Sequence, residues 1–242
     1  MICVSANFSV EDGQGLYEQF LVSARPVEYS DKPKQPLRSR TVQDMQARTR
    51  LSNAQAMRKA VESALERQRR VWAWSDTHFG HANIIKYCDR PFASMAEMNE
   101  AMYANYLATV QDGDLVLWGG DVSFGNLDAV KIRLRTLPGE KLLVFGNHEF
   151  DRGGFRDHKV FDWEAMSFVF TDTANGREVL VTHVPVQASS LPQGVINLHG
   201  HTHRELEGPR HINLSVEHHD FRPVDLQVLL NTHAAASHQV QK

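Results

Sequence analysis

Val71-Trp72-Ala73-Trp74, a short apolar run, passes without a break into Ser75-Asp76-Thr77-His78-Phe79-Gly80-His81. A buried strand that ends abruptly in a carboxylate and two imidazoles decides the fold, because the pattern recurs. Leu115-Val116-Leu117-Trp118 leads to Gly119-Gly120-Asp121, and Leu142-Leu143-Val144-Phe145 leads to Gly146-Asn147-His148-Glu149. Thr182-His183 and Gly200-His201-Thr202-His203 each follow a further apolar run. Between the first two runs Met95, Met98, Met102, Tyr106 and Val110 recur at helical spacing. Between the second and third, Leu127, Val130, Leu134 and Leu137 do the same until Pro138-Gly139. The order β-α-β-α-β predicts a layered α/β sheet.

The second half reads differently. Phe168-Val169-Phe170-Thr171 and Glu178-Val179-Leu180-Val181 flank Asn175-Gly176, a hairpin signal. With Val195-Ile196-Asn197-Leu198 and Ile212-Asn213-Leu214-Ser215-Val216 they predict a second, more antiparallel sheet packed against the first. Upstream, Ser52-Asn53-Ala54-Gln55 fits a capping box. Leu51, Ala54, Met57, Val61 and Leu65 then place one apolar stripe on a helix over 52–69. Pro26, Pro33 and Pro36 bound a polar loop or linker before it. The chain therefore divides into an extension over 1–69, an α/β domain over 70–230 and a disordered polar tail over 231–242.

A chain of 242 residues suits one substantial domain plus an extension. No apolar run approaches the length of a membrane span. The N-terminus lacks a charged leader followed by a sustained apolar stretch, so the expected compartment is cytoplasmic. Cys3 and Cys88 have no zinc-finger or CxxC spacing. They read as two free thiols, with a disulfide between them as the alternative. The net charge of −3 hides an asymmetry, since residues 25–70 carry 12 Lys/Arg against 5 Asp/Glu. Such a segment is either a solvated helix face or a guide for a phosphate-bearing polymer.

The five motifs fall where ligands collect in open α/β sheets, at the carboxyl ends of strands. Their chemistry suits paired divalent metals. Asp76 and Asp121 offer carboxylate oxygens, Asn147 an amide oxygen, and His78, His183, His201 and His203 imidazole nitrogens. A carboxylate such as Asp121 can bridge two cations. Thiolates are missing from the set, which argues against a structural zinc site and for Mn, Fe, Zn, Ni or Co in a catalytic one. His148, beside Asn147, is placed to protonate a leaving group or neutralise phosphoryl charge, or else is a buried structural histidine.

Asp-x-His, Gly-Asp, Gly-Asn-His, His and Gly-His-x-His, in this order, resemble the calcineurin-like metallophosphoesterase superfamily over about residues 70–230. The segment 76–81, Asn83-Ile84-Ile85 and Arg90-Pro91-Phe92 are similar to a bacterial and phage subgroup of small phosphoesterases. The resemblance implies a two-sheet α/β sandwich flanked by helices in four α/β/β/α layers, with a dinuclear centre. It puts Asp76, His78 and His203 on one metal and Asn147, His183 and His201 on the other. Asp121 lies between them and His148 is the catalytic histidine. Two divalent ions, manganese first among them, would activate water for attack on a phosphate ester. One departure is Glu149, where the superfamily often has Asp; a longer carboxylate is expected to orient His148.

Around this set, His81 reads either as a phosphate contact or as a surface histidine. Arg90 reads either as a bidentate phosphate ligand or as the partner of a carboxylate. His199 is expected to be a satisfied core histidine, His218 and His219 to lie in a solvated loop, and Trp72, Trp74 and Trp118 to pack in the core. The expected substrate is a small nucleotide-like phosphate ester; a nuclease or end-processing enzyme is the alternative, and the extension could serve a homo-oligomer. A non-catalytic scaffold would be free to lose ligands, and this chain keeps the whole set.

Overall fold

The computed structural model describes residues 40–124, 127–151, 160–205 and 208–240. Cys3, the proline-bounded linker and the first part of the basic segment lie outside the described residues. Helix α1 spans Arg40–Glu66. It runs through the Ser52 capping box, so the helix does not start where the local signal predicts. Ser52 is exposed within a continuous helix; with no Gly or Pro between 40 and 66, nothing interrupts propagation. Of the expected stripe, Ala54, Met57 and Val61 are buried while Leu51 and Leu65 are partly buried, and Ala64 takes the last inward position. Glu62 accepts the Thr171 backbone N–H and Asn53 donates to the Glu164 carbonyl, which tie the helix to two strands.

The first sheet has the order β4-β3-β2-β1-β9. Its strands are β1 (Val71–Trp74), β2 (Leu115–Trp118), β3 (Glu140–Val144), β4 (Trp163–Ala165) and β9 (Val224–Asp225). β1 to β4 pair in parallel and β9 closes the edge antiparallel to β1. β2 is buried throughout, which is why it reads as an unbroken apolar run. One face carries Trp74, Val116, Trp118 and Leu143, covered by helices α3 (Met95–Thr109) and α4 (Leu127–Arg135) through Met98, Met102, Tyr106, Val130 and Leu134. Trp74 and Trp118 meet edge to face at 4.6 Å. Ser94 starts α3 by accepting the Glu97 N–H, a cap worth about 1 kcal/mol. Short helix α2 (Ile84–Tyr87) follows the first ligand loop, and α5 (Asn147–Asp151) opens on a motif residue.

The second sheet has the order β5-β6-β7-β8, built from Phe168–Asp172, Arg177–Val181, Ile196–His199 and His211–Asn213. Only the β5–β6 hairpin is antiparallel, with Gly176 at φ 63° in its turn. β6, β7 and β8 run parallel, so the sheet is mixed rather than mainly antiparallel. Residues 182–195 and 200–210 are long enough for the crossovers that parallel neighbours need. This places the carboxyl ends of β6 and β7 at one edge. The sheets are linked by a bridge between Ser75 and Ser215.

The tail corrects an expectation. Helix α6 spans Leu226–Val240, where the polar composition predicts disorder from 231. Leu226 and Leu230 are fully buried, and Arg177 donates to the Leu230 carbonyl while its Nη1 meets His233 Nδ1. Ala234, Ala235 and Ala236 favour the helix intrinsically. Among the described residues no helix is long and apolar enough to cross a membrane.

Candidate active site

Parallel β1, β2 and β3 deliver residues 75–81, 119–123 and 146–149 to one edge, and β6 and β7 deliver 182–183 and 200–203 to the same place. Turning sharply out of a strand needs unusual backbone. Among the described residues nine other than glycine have positive φ, and five of them are Asp76, His78, Asp121, His201 and His203. Each such residue costs roughly 1–2 kcal/mol. Strain concentrated in this way marks a site that the surrounding structure over-determines.

The side chains converge in two groups. Asp76, His78 and His203 bring one potential ligand atom each to within 4.8 Å of one another, and so do Asp121, His183 and His201. Asp121 also groups with His78 and His148. Its Oδ2 lies 3.2 Å from His183 Nε2 and 3.7 Å from the Nε2 atoms of His78 and His148. Asn147 Oδ1 joins the second group, 3.2 Å from His183 Nε2 and 3.1 Å from His201 Nδ1. Asp76 and His78 are buried, whereas Asn147 and His201 face solvent. The site is therefore deep at one end and open at the other.

Two glycines show why the motifs need them. A Cβ on Gly146 would run into Asp121 Oδ1, and one on Gly200 would run into Ser75 Oγ and Asp76 Oδ2. Both carboxylates are pressed against a neighbouring loop. Asp121 Oδ1 accepts the His148 backbone N–H at 3.0 Å, and Asp76 accepts the His201 N–H and the Ser215 hydroxyl.

The donor set fits divalent cations. His78 Nδ1 and Nε2 are buried without a hydrogen-bond partner, a condition that is costly for an imidazole unless a ligand satisfies it. The separations from His78 to Asp76 and Asp121, 4.0 and 3.7 Å, are too long for hydrogen bonds and suit ligands that share an ion. Burial, against the pull of Asp121, holds His78 well below the usual imidazole value, so it is neutral and able to coordinate. Burial works against ionisation of Asp121, yet the hydrogen bond and charge of His183 keep its carboxyl below the usual range. Despite its burial, His183 is pushed up to about 9 by the hydrogen bond it donates to Asp121 and by the charge of Asp76. The pocket thus favours positive charge between the two carboxylates.

Behind these groups stands a layer that the motifs do not announce. Glu217 Oε1 lies 3.0 Å from His203 Nδ1, a carboxylate–histidine pair of the kind that orients metal ligands. Although burial opposes it, the His203 hydrogen bond and the Arg90 charge bring Glu217 down to about 2. Arg90 donates from Nε to Glu217 and from Nη1 and Nη2 to the carbonyls of Thr77 and Asp76. Its side chain is 0% exposed. Of the two readings of Arg90, the structure shows the partner of a carboxylate: the guanidinium faces inward and its donors are spent on the protein.

Glu149 likewise departs from expectation. It does not reach His148. Its two oxygens accept the backbone N–H groups of Asp121, Val122 and Gly146 at 2.8 Å each, locking two ligand loops together. Burial, reinforced by the Asp121 charge, raises its carboxyl to about 7.

His81 stands at the open side, its ring 5.5 Å from His78 and 6.4 Å from His148. His148 is 24% exposed at the side chain. His199 is fully buried with Nδ1 against the Gly200 carbonyl, as expected for a core histidine. His218 is exposed, while His219 is half-buried against the Asn213 carbonyl, less solvated than expected. Trp74 and Trp118 pack in the core; Trp72 is partly buried and donates to Asp114. Cys88 is a buried free thiol beneath His203 and Glu217.

The chain has relatives among known proteins. The chain is 34% identical over 172 residues to an uncharacterized protein of Methanocaldococcus jannaschii, covering 67% of this chain and 90% of the relative. It is 30% identical over 189 residues to the gene 66 protein of Mycobacterium phage D29, covering 64% of this chain and 92% of that protein. A crystal structure of a protein of unknown function from Aquifex aeolicus shares the fold, with a TM-score of 0.55 and 23% identity over 68% of this chain and 99% of that one. The sequence pattern of the calcineurin-like phosphoesterases matches residues 69–238. The chain belongs to the calcineurin-like phosphoesterase family, and is a metal-dependent hydrolase of phosphoric esters.

Proposed function

We propose that the protein uses a dinuclear centre to hydrolyse small, nucleotide-like phosphate esters, as a phosphodiesterase or phosphatase. One observation carries this reading: Asp121 belongs both to the cluster with His183 and His201 and to the one with His78 and His148. Asp76, His78 and His203 would hold one ion, Asn147, His183 and His201 the other, and Asp121 both. Manganese is the first choice, with Fe, Zn, Ni and Co suited to the same donors. Ions held there supply Lewis acidity, polarising a phosphoryl oxygen and making water a nucleophile at neutral pH.

The chain's own groups do the rest. Asp121 spends one oxygen on the His148 backbone and leaves the other in the site, 3.7 Å from the His148 ring, which holds the His148 backbone beside the reacting centre. His148 protonates the departing oxygen or neutralises charge on the phosphoryl group. His81, beside it, faces the bound ester. Hydrolysis of bis-p-nitrophenyl phosphate and p-nitrophenyl phosphate with Mn²⁺ tests the proposal. Activity that survives both chelation and His148→Ala contradicts it.

A nucleic-acid substrate is the second reading, supported by the basic segment at 25–70. Two of its arginines speak for the small-molecule reading: Arg58 is held by Glu62 and Thr171, and Arg69 by Glu140 and two backbone carbonyls. DNA affinity that falls steeply with salt would reverse this preference.

A further inference from the structure

Tyr87 is 74% exposed at the end of α2, while Ile84 on the other side of that helix is buried. An exposed aromatic is unremarked on most surfaces; this one stands at the mouth of the site. Its ring lies 6.1 Å from that of His81 at 76°. His81 in turn stacks on Phe124, with centroids 4.2 Å apart and planes 24° from parallel. Phe124 meets the His148 ring edge-on at 5.0 Å. Rings therefore continue outward from His148 to Tyr87, and the last two meet nearly at a right angle.

The assembly is pre-organised. The Phe79 backbone N–H donates to the Val122 carbonyl, and the Phe79 carbonyl accepts from the Phe124 N–H and the Ser123 hydroxyl, so the loop bearing His81 is laced to the one bearing Phe124. Arg204 donates to the Asp89 carbonyl, pinning the turn after α2 to the loop that carries His203. Fixed aromatic faces give a flexible alcohol little to bind. They give a planar heterocycle a stacking surface at low entropic cost.

We propose that Tyr87, with the His81–Phe124 stack, forms a subsite for the nitrogenous base of a nucleotide whose phosphate lies against His148 and the ligand cluster. The subsite rests on the function proposed above and names its substrate class. The phosphate sits at the deep end and the base extends over α2, so the base need not unpair from a second strand and the ligand is a free nucleotide.

Two esters with one leaving group separate the possibilities: ethyl p-nitrophenyl phosphate and thymidine 5′-(p-nitrophenyl phosphate), both with Mn²⁺. Hydrolysis of either ester by the wild type supports the phosphodiester reading by itself; hydrolysis of neither ester, nor of p-nitrophenyl phosphate, would remove the proposed function and the subsite together. With that activity present, kcat/KM should favour the thymidine ester by roughly 5- to 100-fold, the range expected of one stacked base. Tyr87→Ala should remove most of that preference through KM, and Tyr87→Phe should retain it. Equal kcat/KM for the two esters in the wild type, or a preference untouched by Tyr87→Ala, overturns the subsite. The same 5′ ester on an oligothymidylate distinguishes the sources of base: a rate no better than the nucleoside ester supports the free nucleotide, and one more than about tenfold better overturns it.

Discussion

Arg90 Nη2 lies 2.7 Å from Glu217 Oε1, and the two side chains are 0% and 1% exposed. The pair connects two residues of one cluster, Asp76 and His203, because Arg90 also holds the Asp76 carbonyl, with that of Thr77 beside it, and Glu217 holds His203. Removing one partner leaves a buried charge uncompensated, at about 3–5 kcal/mol. Arg90→Ala should therefore lower the melting temperature sharply. Glu217→Gln, which keeps the shape, should instead weaken binding of one ion by roughly 10–100-fold. Titration calorimetry with Mn²⁺ reads the second effect, and an unchanged affinity would place Glu217 outside the site's support.

Glu149 answers three backbone donors with two oxygens, Oε2 taking Asp121 and Gly146 and Oε1 taking Val122. Glu149→Gln turns one acceptor into a donor that faces an N–H. A loss of about 1–3 kcal/mol follows, together with weaker metal binding through the Asp121 loop. Denaturant melts of the metal-free protein check the first part. A variant as stable as the wild type would show that the three contacts are dispensable.

Much of this was legible in the chain. Asp76, Asp121, Asn147, His183, His201 and His203 each follow an apolar run, and parallel strands deliver such residues to one edge whatever else the fold does. Glu217 was silent because it acts from the segment after β8, which reaches β1 only through the pairing of Ser215 with Ser75. Arg90 was ambiguous because sequence does not tell which way a guanidinium turns. The start of α1 was misread because a local capping signal loses to a helix that nothing interrupts, and 231–240 because short-range polarity hides the anchoring of α6 by Leu226 and Leu230.

Gly146→Ala and Gly200→Ala probe the close contacts of the ligand loops. Each methyl would displace a carboxylate that faces the site, Asp121 or Asp76. Gly146→Ala also meets the Asp121 backbone N and should cost more stability than Gly200→Ala, whose overpacking should cost about 1–3 kcal/mol; both should lose tightly held metal. Metal content after desalting is the readout. Wild-type content in both would mean that the loops yield without moving the carboxylates.

His148→Ala removes a partly exposed ring that completes neither three-ligand cluster formed around Asp76 or His183. It should lower kcat by roughly 10²–10⁴-fold while metal content stays at the wild-type level. A parallel loss of metal would instead make His148 a ligand. Steady-state kinetics and elemental analysis on one preparation distinguish the outcomes.

Asp121, as a shared carboxylate, would join two ion sites. Equilibrium titration of metal-free protein with Mn²⁺, counted per chain, should give two tightly held ions in the wild type and the disruption of both sites in Asp121→Ala; one ion or none in the wild type, or two retained without Asp121, would rule out a pair of sites joined by this carboxylate.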